Sequence, residues 1–173
     1  MRIIVTALLG AIMMLGISCE KTTTGNGDAT DRKFISMVMG TRIQLSENPK
    51  AVVYLADPTS TNPDDQYPSM QITGTTYAGD YVTFTLAVPT LPFAPGAYPV
   101  TNTGNSMTIY LASTTGETLK TDPTAAGFTI NITQINSQFV EGTFSGTLSS
   151  SSSGGSTNIQ DGTFRAVLKY TSR

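Results

Sequence analysis

Cys19 is the one thiol in this chain of 173 residues. A lone cysteine has no disulfide partner in its own chain, and it cannot build a thiolate zinc site, which takes several such ligands. Covalent modification remains, and the position favours acylation: Cys19 directly follows the apolar and small residues 3–17 and Ser18. A second chemistry is suggested by the loop Asp57-Pro58-Thr59-Ser60-Thr61-Asn62-Pro63-Asp64-Asp65. Hard cations such as Ca²⁺ collect oxygen ligands from a loop, and Asp57, Asn62, Asp64 and Asp65 are the candidate ligands. The spacing is not that of an EF-hand, which requires a glycine and a closing glutamate. The same residue types also form plain solvated turns.

Tyr77, Tyr81, Tyr98 and Tyr110 could supply a flat aromatic platform for a sugar ring or another planar ligand. Tyrosines in strands otherwise pack along edges with the hydroxyl in water, and the chain has no tryptophan to strengthen a sugar platform. Glycoside hydrolysis would need two carboxylates at a set separation. Glu117, Asp122, Glu141 and Asp161 are scattered, so Glu141 and Asp161 would meet only if the register of two C-terminal strands aligned them. Histidine is absent, which removes imidazole catalysis and the commonest transition-metal ligand. No Gly-x-Ser-x-Gly elbow occurs either. The residues point to a protein that is not an enzyme and uses no cofactor.

The N-terminus must position Cys19. Met1-Arg2 is a short positive start and residues 3–17 form an apolar stretch, with the small Ser18 before the cysteine. This is the layout of a secretory signal, and it is short of the roughly 20 residues that span a bilayer. Leu15-Gly16-Ile17-Ser18-Cys19 resembles a bacterial lipobox, with the leucine one place early. The resemblance implies that residues 1–18 are removed and that acylated Cys19 anchors the chain in the bacterial outer membrane, on its periplasmic or its cell-surface face. Several acyl chains give stable attachment. Residues 19–33 lack apolar periodicity and read as a flexible tether with about 20 Å of reach.

Residues 34–173 then make one domain, large enough to bury a core without disulfides. Ten basic and twelve acidic residues leave a net charge of −2, and no run of like charge suggests nucleic acid as a partner. Charged residues are only 13% of the chain, and threonine, serine and asparagine occupy the polar positions. That composition favours strands.

The alternation is that of strands with one buried face. Val82, Phe84, Leu86 and Val88 point one way while Tyr81, Thr83 and Thr85 point the other; Phe128, Ile130 and Ile132 oppose Thr129, Asn131 and Thr133. Strands are expected near residues 34–39, 42–45, 51–56, 70–73, 81–88, 106–112, 127–133, 139–148 and 158–170. No stretch after Cys19 has a helical period. The expected fold is all-β, an antiparallel β-sandwich, with a lipocalin-like β-barrel as the alternative. The apolar loop 91–96 either caps an open end of the fold or meets a partner.

Glu141-Gly142-Thr143-Phe144 recurs as Asp161-Gly162-Thr163-Phe164, separated by the serine-rich residues 149–157. This predicts a long hairpin with a loose tip. Phe144, Gly146 and Leu148 of one strand, and Phe164, Ala166, Leu168 and Tyr170 of the other, would face inward. The glycines would admit a bulge or a large facing side chain. Together with Gly96-x-Tyr98 and residues 127–133, this C-terminal pattern resembles a family of uncharacterised Bacteroidota lipoproteins. The resemblance implies an all-β envelope domain and brings no catalytic residues. The expected role is a lipid-anchored protein-interaction or structural module, with an envelope protein as partner. The alternative is a small-ligand module for glycan or lipid, and a hydrolase built on Glu141 and Asp161 comes last.

Overall fold

The computed structural model describes residues 32–100, 104–112, 114–124 and 127–172. The signal segment 1–18, Cys19 and the tether as far as residue 31 lie outside the described residues.

Among the described residues eleven strands follow one another: β1 (Phe34–Met39), β2 (Arg42–Glu47), β3 (Lys50–Tyr54), β4 (Ser69–Thr75), β5 (Tyr81–Ala87), β6 (Gly96–Pro99), β7 (Ser106–Leu111), β8 (Glu117–Thr121), β9 (Thr129–Ile135), β10 (Phe139–Ser150) and β11 (Ser156–Thr171). Among the described residues the only helical piece is a single 3₁₀ turn, Pro63–Asp65. The chain is all-β, as its alternation demands. In β5 the buried positions are Val82, Phe84 and Leu86, and the threonines between them face out.

All strands belong to one sheet, ordered β2-β1-β11-β3-β4-β5-β7-β8-β10-β9-β6. An added β10–β11 ladder makes the pairing return on itself. Starting at β11, the circuit runs through β3, β4, β5, β7, β8 and β10 and comes back to β11. The fold is therefore one sheet whose ladders return on themselves, where a sandwich would have two separate sheets. Phe84 on β5 meets Phe144 on β10 edge-on, with ring centroids 4.7 Å apart, and lies 5.6 Å from Phe164 on β11. These strands sit on opposite sides of the circuit, so the rings fill the space between facing walls. Each buried ring stabilises the fold by roughly 1.5–3 kcal/mol.

The long hairpin is present, with the repeated motifs facing each other: Gly142 opposite Phe164 and Phe144 opposite Gly162. A bulge at Gln160–Asp161 shifts the register of β11 against both β10 and β1, and Asp161 takes a positive φ of 51° there. Three features differ from the sequence expectation. One ladder, β11 with β3, is parallel. Two strands, β6 and β8, lie where no strand was expected, since β6 is four residues long and β8 has a single apolar residue, Leu119. Tyr170 is 56% exposed rather than inward, because β11 has by then passed the core and pairs only with β3. The loop 91–96, for which capping or a partner contact was expected, packs onto the interior, with Phe93 joining the buried cluster and Leu91 packing against it.

Candidate functional site

The four tyrosines do not make one platform. Tyr81 and Tyr110 lie directly opposite each other on β5 and β7, both on the outer face and both exposed. Tyr77 lies in the turn after β4 and is exposed. Its backbone N–H donates to the carbonyl of Leu45, and its hydroxyl donates to the carboxylate of Glu47. Tyr98 belongs elsewhere. Its ring packs on Phe93 at 6.3 Å, and its hydroxyl donates to the Ala94 carbonyl at 2.8 Å, which closes the inward-folded loop.

Glu47 organises the region around Tyr77 and Tyr81. Its carboxylate also takes Arg32 at 2.6 Å, so the residue two places before β1 is fastened to β2. The Tyr77 hydroxyl, and then the Arg32 guanidinium, hold the Glu47 carboxyl below its ordinary range. The same bond raises the Tyr77 phenol. Beside this pair lies a cleft of about 290 Å³. It is lined by Thr73, Gly74 and Thr75 of β4 together with Glu47, Asn48, Lys50 and Tyr81. Asn48 turns the chain from β2 into β3 with a φ of 53°, a conformation that asparagine tolerates better than most residues. Sequence reasoning missed Glu47, Asn48 and Lys50. They fall between the strands expected at 42–45 and 51–56, and the cleft arises where Thr73–Thr75 of β4 and Tyr81 of β5 lie beside them.

The acidic loop spends its oxygens on local structure. Asp57 Oδ1 accepts from the backbone N–H and the hydroxyl of Thr59, at 2.9 and 2.6 Å. Asn62 caps the 3₁₀ turn by accepting from the N–H of Asp64. Asp65 accepts from the hydroxyl of Ser60 at 3.1 Å. Among the described residues no three acidic side chains gather as a metal site would require.

Glu141 and Asp161 are kept apart. Glu141 faces Arg165 across the ladder and pairs with it at 3.3 Å, while Asp161 sits in the bulge four residues away, roughly 13 Å along β11. Arg165 also stacks 3.9 Å above the ring of Phe139, a cation–π contact that fixes the guanidinium.

A second carboxylate arrangement went unread in the sequence. Glu117 accepts from the hydroxyls of Ser150, Ser152 at 3.2 Å and Ser153 at 2.8 Å. The Ser150 oxygen in turn accepts from the N–H groups of Ser152 and Ser153. The serine-rich tip is thus hydrogen-bonded around one carboxylate, which these hydroxyls hold below its ordinary range.

One sheet edge is open among the described residues. β2 ends the sheet order, and only its last residues find a second neighbour, through the Ser46–Thr76 bridge and the Leu45 carbonyl. Among the described residues no strand borders Arg42–Gln44 on that side, and Ile43 is 78% exposed. The opposite terminal strand, β6, is protected. It ends in Pro99, follows Pro95, and carries Tyr98, which holds the inward loop. Proline at an edge removes a donor that a foreign strand would need.

Fold and site together define an all-β domain folded from one sheet, with an exposed edge and a polar surface cleft. The model of a domain of unknown function (DUF6252) matches residues 50–168, and the chain belongs to that family. The match takes in β3 to β10 and β11 as far as Leu168, and leaves out the β1–β2 hairpin. No curated protein and no solved structure matches the chain.

Proposed function

We propose that this chain is a bacterial envelope lipoprotein, held at the outer membrane by acylated Cys19. Its β domain works by contact with another envelope protein and not by catalysis. The observation that carries this reading is the open edge of β2 with Ile43 78% exposed beside it. Unpaired backbone groups along a strand with a β-branched side chain are a template for strand addition, in which main-chain bonds give affinity and side chains give selectivity. The anchor rests on Cys19 at the end of its apolar run, and the Bacteroidota origin on the C-terminal hairpin motif. The separation of Glu141 from Asp161 and the absence of histidine support a non-catalytic role.

A photoreactive amino acid at position 43, introduced into the full chain in its native envelope, tests this. The expected result is a discrete adduct with one envelope protein that does not form from position 120, on the outer face of β8. No adduct at position 43, or the same adducts from both positions, would overturn the reading.

A further inference from the structure

The cleft beside β4 has a charge balance that selects a ligand. Its carboxylate, Glu47, is already matched by Arg32 at 2.6 Å and by the Tyr77 hydroxyl. Lys50 stands opposite Thr73 on the exposed face and forms no salt bridge among the described residues. With Glu47 matched by Arg32, Lys50 is the charged lining residue that has no ion-pair partner among the described residues. An anion is therefore favoured, and the remaining groups say which kind. Thr73 and Thr75 offer hydroxyls, Asn48 an amide, and Tyr81 an exposed ring. Hydroxyl and amide groups that can both donate and accept suit a polyhydroxylated molecule. A ring face suits the apolar side of a pyranose. At about 290 Å³ the cleft lies at the small end of ligand sites, room for about one sugar unit.

Two rows of outward residues cross the cleft. Lys50, Thr73 and Thr83 are aligned across β3, β4 and β5. Thr75, Tyr81 and Tyr110 are aligned across β4, β5 and β7. The rows are two residues apart along β4, about 7 Å, so one ring can place its carboxylate in the first row and lie on Tyr81 in the second. Tyr110, facing Tyr81 on the next strand, continues the aromatic surface beyond the cleft for a second unit.

The geometry points to an acidic glycan, a chain of hexuronate units, as the ligand of this cleft. Lys50 holds the carboxylate, Thr73 and Thr75 bond hydroxyls, and Tyr81 with Tyr110 carries the sugar faces. This site lies at the N-terminal end of β3, not at the open edge of β2, and is independent of partner binding there.

Calorimetric titration of the full chain, in a detergent without sugar headgroups, with digalacturonate and with the matching neutral disaccharide tests the assignment. Digalacturonate is expected to bind at least about tenfold more tightly than the neutral sugar. Lys50→Gln and Tyr81→Ala should each weaken it about fivefold or more, with thermal melts unchanged because both side chains are exposed. Lys120→Gln, at the far end of the same threonine row (Thr83, Thr108, Lys120), should bind as the parent does. Equal affinity for the neutral sugar, parental affinity in Lys50→Gln, or no saturable heat with digalacturonate would overturn the proposal.

Discussion

Gly142 of β10 faces Phe164 of β11 so closely that a methyl group on the glycine would fall 2.7 Å from the ring's Cζ and 2.1 Å from the carbonyl oxygen of Asn131. The converse pair repeats it, with Gly162 against the ring and carbonyl of Phe144. The two Gly-Thr-Phe motifs therefore lock through each other, each glycine making room for the other's phenylalanine. Gly142→Ala and Gly162→Ala are each expected to lower stability by about 1–3 kcal/mol, since the obstructing atoms include backbone. Urea unfolding of the two variants, with an unchanged slope, measures it.

Phe84 is the residue that joins the facing walls of the sheet. Phe84→Ala removes its contacts with both Phe144 and Phe164 and leaves a cavity in a filled interior. A loss of about 3–5 kcal/mol is expected, readable as a lower denaturation midpoint. A loss under about 1 kcal/mol would mean the interior collapses freely around the gap.

The Tyr77–Glu47 bond has a pH signature with two limbs. Glu47 is depressed in the fold, so its contribution is present above its unfolded pKa and disappears as pH falls through its folded value. Tyr77 is raised, so its contribution is present below the ordinary phenol range, near pH 10, and disappears as pH rises through its folded value. Tyr77→Phe should remove the alkaline limb and reduce the acid one, whereas Glu47→Gln should remove both. Thermal melts from pH 3 to pH 11 follow the two limbs.

At the tip of the long hairpin, Glu117 replaces the core that so polar a loop lacks. Glu117→Ala is expected to speed amide exchange and proteolytic cutting at residues 150–153 while leaving the melting temperature almost unchanged. The same loosening should appear in the parent at acid pH. The depressed Glu117 carboxyl keeps its serine contacts above its unfolded pKa and loses them as pH falls through the folded value.

Legibility in the sequence followed the apolar alternation. β5 and β9 alternate buried and outward side chains, and they were read correctly to within a residue or two. β8 was not, because its ladders with β7 and with Leu148–Ser150 of β10 depend on neighbours rather than on its own one leucine. The parallel β11–β3 ladder was equally hidden, since residues about 117 positions apart carry no local mark of pairing. The reciprocal glycines were anticipated as room for a large side chain, and the register supplied which one. Of the tyrosines, Tyr81 and Tyr110 fell on one face through alternation shared across a ladder. Tyr98 looked identical in sequence, yet its hydroxyl serves the Ala94 loop. Glu47 and Glu117 owe their roles to tertiary neighbours, Tyr77 and the serine tip, and no spacing in the chain announces either.

An open strand edge is useful to an envelope protein when the domain is tethered close to its partner, so the account rests first on Cys19. Mass spectrometry of the N-terminal peptide, taken from the full chain expressed in its native envelope, tests this most directly. The account predicts that residues 1–18 are absent and that Cys19 is the first residue, carrying a thioether-linked diacylglyceryl group and an N-acyl chain. A chain that retains Met1, or one cleaved elsewhere with Cys19 as a free thiol, would contradict it.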